Sequence, residues 1–145
     1  MSLFSCLSVS GSGMSAQRTR AELLVENIAN TETTRTPDGG PYQRKNAIFA
    51  TETAPSSFTS VFESVSQAGV TGVRVDEIVV DTSEPERRYQ PGHPDADAEG
   101  YVAFPKSNPA EDMVDLMGAS RGYQANVAAI SAVKEMISRS IDLLR

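Results

Sequence analysis

The two ends of this chain carry a seven-residue apolar rhythm and the stretch between them does not. In the last third, apolar side chains recur at Met113, Leu116, Tyr123, Val127, Ile130, Ile137, Ile141 and Leu144, interrupted only by Ser120 and Lys134. Alternating spacings of three and four keep such a seam on one helix face. The start is marked: Asn108 suits a cap, Pro109 the first helical position, and Glu111 is placed to reach back to the cap. Asp112 and Asp115 favour the positive end of the helix dipole, and Lys134, Arg139 and Arg145 the negative end. From Pro109 onward such a helix would run roughly 55 Å at ~1.5 Å per residue, longer than a small domain is wide.

The N-terminal seam is thinner. Leu3, Leu7, Met14, Ala21, Leu24 and Ile28 keep the spacing, while Ser10 and Gln17 fall on seam positions and Gly11 and Gly13 sit between them. Two interior glycines cost about 2 kcal/mol relative to alanine, which predicts a helix frayed in the monomer and dependent on partners.

With 145 residues, 39% hydrophobic residues and no tryptophan, a chain that spends both ends on rods has material for one small core between them. A net charge of -6 argues against nucleic acid, which draws on clustered Lys and Arg. The short basic pairs (Arg18 and Arg20, Arg44 and Lys45, Arg87 and Arg88) have acidic residues close by and read as solvated surface. The single cysteine, Cys6, allows no intrachain disulfide. The opening Met1 to Gly13 lacks the basic and apolar regions of a Sec-type signal, and no apolar run is long enough to insert in a membrane.

From Thr31 to about Asn108 the helical rhythm gives way to Pro, Gly, Thr and Ser punctuation. Strands are predicted at Tyr42 to Thr51, entered by a turn over Pro37 to Pro41, at Val70 to Asp81, and at Tyr101 to Phe104. In the second, Val73 and Val75 face one way and Ile78 and Val80 the other, with Asp76 and Glu77 between, as a β-bulge requires. Thr53 to Gln67 reads as a loop or short helix. The fold class expected is α+β: a terminal helix over residues 1–32, a small β-rich and loop-rich segment over 33–107, and a second helix over 108–145, the helices forming an antiparallel coiled-coil-like pair.

The most site-like segment runs from Gly92 to Gly100 and holds the only histidine, His93. Read from Asp95 it opens like a calcium loop, but the twelfth position is Lys106 behind Pro105 where a bidentate glutamate is needed. His93, Asp95 and Asp97 share the alternation that could hold a transition metal. The stronger reading is a turn made rigid by Pro91, Gly92 and Pro94, with the Asp side chains bonding nearby amides. No nucleophile elbow, phosphate loop or paired-cysteine site occurs, so neither an enzyme nor a cofactor is expected. The rival classes are a coiled-coil or helical-hairpin adaptor and a small metal-dependent enzyme centred on His93.

Two polar patches interrupt the helices. Asn27 and Asn30 are helical neighbours; a left-handed helix end accounts for Asn30 and leaves Asn27 unexplained. The run Ser120 to Asn126 places Arg121, Tyr123 and Asn126 around Gly122, a combination that fixes register between packed helices. Together, Asn-x-Ala-Asn-x-x-Thr over Asn27 to Thr33 and Arg-x-Tyr-x-x-Asn over Arg121 to Asn126 resemble the signature of bacterial flagellar rod and hook proteins. Thr36 to Lys45, Tyr89 to Asp97 and Glu99 to Val102 resemble the proximal-rod branch. Lys106-Ser107-Asn108 departs from the Asn-Val-Asn of that pattern.

The resemblance implies a rod subunit of the basal body, crossing the periplasm. It would be exported unfolded by the flagellar type III apparatus without a cleaved signal, and would assemble with copies of itself and with other proximal and distal rod proteins. It implies assembly contacts from both helical seams and from Asn27, Asn30, Arg121, Tyr123 and Asn126. Central contacts would come from Tyr42, His93, Asp95, Asp97 and Tyr101. Phe58 and Phe62 have the spacing of a Phe-x-x-x-apolar export-gate element.

Overall fold

The computed structural model describes residues 3–37, 39–52 and 71–143. Helix α1 spans Leu3–Ala29 and helix α2 spans Pro109–Asp142. They pack against each other along their lengths. Gly13 faces Asn126, Gln17 faces Gly122 and Arg20 bonds Asp115, so numbers rise on one helix as they fall on the other and the pair is antiparallel. Asn108 caps α2, its side-chain oxygen accepting from the Ala110 N–H, with Pro109 in the first turn. The return bond expected from Glu111 is not made; Asp112, one residue on, carries the contact that anchors this end.

The contact stripe differs from the apolar seam. On α2 the buried residues are Asp112, Ala119 and Val133, with Gly122 and Asn126 half-buried between them. Of the apolar seam, Leu116, Ile130 and Ile137 are half-buried, whereas Met113, Tyr123, Val127 and Ile141 are exposed and Leu144 lies outside the described residues. The cause is side-chain size. The helices meet where Gly13 of α1 faces Asn126 and Gly122 of α2 faces Gln17, and the buried residues of the two helices include the small Ser10, Ala16 and Ala119, so the close face is the small one and the large seam is turned to its flank. On α1, Leu24 is buried, Leu7, Met14 and Ile28 are half-buried, and Leu3 is exposed.

Helix α1 is continuous through Gly11 and Gly13 rather than frayed. A Cβ on Gly13 would come within 3.0 Å of Asn126 Nδ2, so the residue that weakens the isolated helix is the one that admits α2.

Between the helices lie two antiparallel hairpins. Strand β1 (Lys45–Thr51) pairs with β2 (Val73–Val80), and β3 (Glu86–Tyr89) pairs with β4 (Tyr101–Phe104). The first register shifts between Ile48, opposite Glu77, and Phe49, opposite Val75, leaving Asp76 as the extra residue where the apolar pattern changes faces. This hairpin lies along α1. The amide of Asn27 holds Lys45 at one end, and at the other the Ser12 hydroxyl accepts from the Val73 N–H. Helix residues 12 to 27 span about 22 Å and strand residues 45 to 51 about 20 Å at ordinary rises, so the two elements are matched in length. The second hairpin buries Val102, Phe104 and Pro105 with the half-buried His93 edge-on to Phe104, a small satellite core apart from the helices. Strand β3 has no counterpart in the sequence reading.

Candidate assembly surface

The approach to β1 is where both helices are tied to the central segment. The turn before it is closed by bonds between Thr36 and Gly40, with Gly39 and Gly40 at φ +87° and +84°, a region other residues seldom adopt. This delivers Tyr42, Arg44 and Lys45 to the open ends of the helices. Asn27 is wholly buried: its Nδ2 donates to the Lys45 carbonyl at 2.8 Å, while its Oδ1 accepts from the Lys45 N–H at 2.9 Å and the Tyr42 hydroxyl at 3.0 Å. The amide thus substitutes for a neighbouring strand. Lys45 Nζ also reaches Glu26 at 2.5 Å, and burial, with Glu26 and Asp112 nearby, pushes the Tyr42 phenol up to about 12.

One residue earlier, Arg44 donates from Nε and Nη2 to Asp112 Oδ1, at 3.1 and 2.5 Å. Asp112 is fully buried in the first turn of α2 and its Oδ2 has no hydrogen-bond partner among the described residues. Consecutive residues therefore fasten the end of α1 and the start of α2 to one strand. Asn27, expected among the contacts between helices or subunits, is spent here on a strand inside the chain. Asn30 does not adopt a left-handed conformation, since positive φ among the described residues occurs only at Gly39, Gly40 and Gly100. Its Nδ2 bonds the Glu26 carbonyl and its Oδ1 accepts from Thr33, closing the helix by side-chain capping.

Midway along the pair, Asn126 lies over Gly13 and Gln17 lies over Gly122. Each helix offers a glycine and an amide four residues apart, and each amide lies over the other's glycine. Asn126 Nδ2 bonds the Gly122 carbonyl of its own helix, while Gln17 Oε1 is buried without a hydrogen-bond partner among the described residues. A slip of one turn would set amide against amide in one direction and glycine against glycine, with a void between them, in the other, so the crossing favours this axial register. Gln17, an interruption in the seam, had this role hidden by its polarity.

Several large apolar residues of α2 remain uncovered. Met113, Met117, Tyr123, Val127 and Ile141 are between 38% and 60% exposed, with Arg121 exposed beside them and without an ion pair among the described residues. Exposed apolar residues at helical spacing along one rod make a candidate interaction surface.

The histidine segment is built as a turn. Asp97 Oδ1 accepts from the Glu99 and Tyr101 amides, His93 Nδ1 accepts from the Asp95 amide, and Asp95 accepts from Thr34 and sits by Arg35. Among the described residues no group of three or more His, Cys, Asp or Glu could hold a metal ion, and no helix is long and apolar enough to cross a membrane. Tyr101 is on the second hairpin, stacked edge-on against Tyr89. Phe58 and Phe62 lie outside the described residues.

Comparison with known proteins points the same way. The model of the flagellar basal body rod FlgEFG protein C-terminal family matches residues 98–143. The chain is 40% identical to the flagellar basal-body rod protein FlgC of Borreliella burgdorferi, covering 100% of this chain and 99% of that one. It is 38% identical to FlgC of Bacillus subtilis, over 99% of each chain, and 34% identical to FlgC of Escherichia coli, over 99% and 98%.

Proposed function

The chain belongs to the FlgC family of flagellar basal-body rod proteins, and given its place as a structural rod subunit, we propose that its paired helices build the wall of a torque-bearing tube. The observation that carries this reading is the exposed apolar flank of α2. A monomer gains nothing by exposing Met113, Met117, Tyr123, Val127 and Ile141 along one rod, whereas a subunit enclosed by neighbours buries them at ~25 cal/mol per Å² of apolar surface. Arg121 and Tyr123 edge that flank and are assigned to contacts between subunits, as is Leu3 on α1. Asn126 and Gly122 set register within the pair, and Asn27 and Arg44 hold the central segment to it.

The neighbours proposed are copies of this chain and other proximal and distal rod proteins. Entry by the flagellar type III export apparatus, in an unfolded state, is part of the same proposal. A helix pair held by one narrow small-residue crossing and a two-residue clasp is suited to opening for export and closing at the growing tip. Assembly, not catalysis, is the role proposed.

The test is complementation. In a strain lacking its own rod gene, the wild-type chain should restore swimming and be recovered in purified basal bodies. Met117→Asp with Val127→Asp should be exported in normal amount yet be absent from basal bodies. Full incorporation of that variant would remove the assembly role of the flank.

A further inference from the structure

The outer faces of the two hairpins are unlike each other, and neither is needed by the helix pair. On the second, the register places Arg87, Tyr89, Tyr101 and Ala103 on the face opposite the buried Val102 and Phe104. Tyr89 is 65% and Tyr101 40% exposed, their ring centroids 5.4 Å apart. Arg88, on the inner side, is occupied by Glu86 and the Phe104 ring, but Arg87 has no ion pair among the described residues. Two ordered tyrosines beside a free guanidinium have the composition of an interface hot spot.

On the first hairpin the face turned from α1 carries Ile48 opposite Glu77 and Asn46 opposite Val79. Ile48 and Val79 are exposed, and Glu77 has no ion pair among the described residues. The nearby Arg74 is neutralised by Asp76 at 2.7 Å. One face is thus cationic and aromatic, the other anionic and aliphatic.

We propose that these faces meet between copies: the Arg87–Tyr89–Tyr101 face of one subunit seats on the Glu77–Ile48–Val79 face of the next. This rests on the rod-subunit reading. A rod that grows by adding copies needs two different, mutually complementary patches, because a patch that pairs with itself closes a dimer and stops. Each face here carries an unpaired charge of one sign and would repel its own kind. Together they pair Arg87 with Glu77 and cover the tyrosines with Ile48 and Val79. The second copy is the occupant because its own surface supplies the matching charge and apolar side chains.

The test is a charge exchange in the strain complemented by the chain, read as swimming and as chain recovered in basal bodies relative to chain exported. Arg87→Glu alone and Glu77→Arg alone should each lower incorporation about tenfold, since like charges are then juxtaposed. The double variant Arg87→Glu with Glu77→Arg should recover to within about twofold of wild type, the pair being restored in reverse. As a second readout, Arg87→Cys with Glu77→Cys in a Cys6→Ser chain should give a ladder of disulfide-linked dimers and higher multimers in basal bodies. Single reversals that incorporate like wild type, a double variant as poor as the worse single, or no linked dimers would each overturn the proposal. Failure of the rod reading itself is distinct: the wild-type chain would then be missing from basal bodies.

Discussion

Asn27 concentrates more of the fold than any other side chain. It holds both backbone groups of Lys45 and the Tyr42 hydroxyl at once, with no exposure of its own. Asn27→Ala should therefore lower stability by about 3 kcal/mol in urea unfolding, because buried donors and acceptors lose partners that water does not replace. Asp112 makes a parallel case. Arg44→Ala strands a buried carboxylate and should cost about 3–5 kcal/mol, while Arg44→Met with Asp112→Leu should cost much less. Tyr42 gives a pH signature. Its phenol titrates near 12 when folded, above the ordinary value of 10.0, so between those values the unfolded chain gives up its proton first. Stability is unaffected by this group below pH 10 and falls as pH rises toward 12. The fall should be shallower in Tyr42→Phe.

The glycines of α1 separate local preference from packing. Gly11 has nothing within 4 Å of an added Cβ, so Gly11→Ala should stabilise the chain by about 1 kcal/mol, the helix-propensity difference. Gly13→Ala gains the same propensity but presses on Asn126, and Gly13→Leu should be strongly destabilising; thermal unfolding of the three variants gives the order. Helix periodicity, the Asn108 and Pro109 start, the bulge at Asp76 and the strand at Tyr101–Phe104 were all legible in the sequence, since each leaves its mark in the pattern of a few neighbouring residues. The facing stripe of α2 was not. Hydrophobic spacing locates the apolar face of a helix, whereas approach to a second helix here is set by small residues, Ala119 and Gly122. Strand β3 was hidden for a similar reason: Glu86–Tyr89 is fully exposed, lacks apolar alternation, and is a strand only because β4 pairs with it across a long turn.

Across the whole molecule, the chain is a rod of two helices with both hairpins on its central connection, joined at Arg44 and Lys45. The helical ends and the family were readable because the signature residues sit at fixed short spacings. The work those residues do was less readable. Asn27 bonds a backbone 18 residues away, and nothing in the spacing of asparagines names that partner. The division that results is of a fold held from within by buried polar contacts and an outer apolar flank left for neighbours. Maleimide labelling of Val127→Cys in a Cys6→Ser chain tests that division most directly, comparing purified free subunit with isolated basal bodies. The account predicts rapid labelling of the free chain and at least about tenfold slower labelling in the rod, as burial at an interface excludes water and reagent. Equal labelling in both would contradict it, leaving the α2 flank uncovered in the assembled structure.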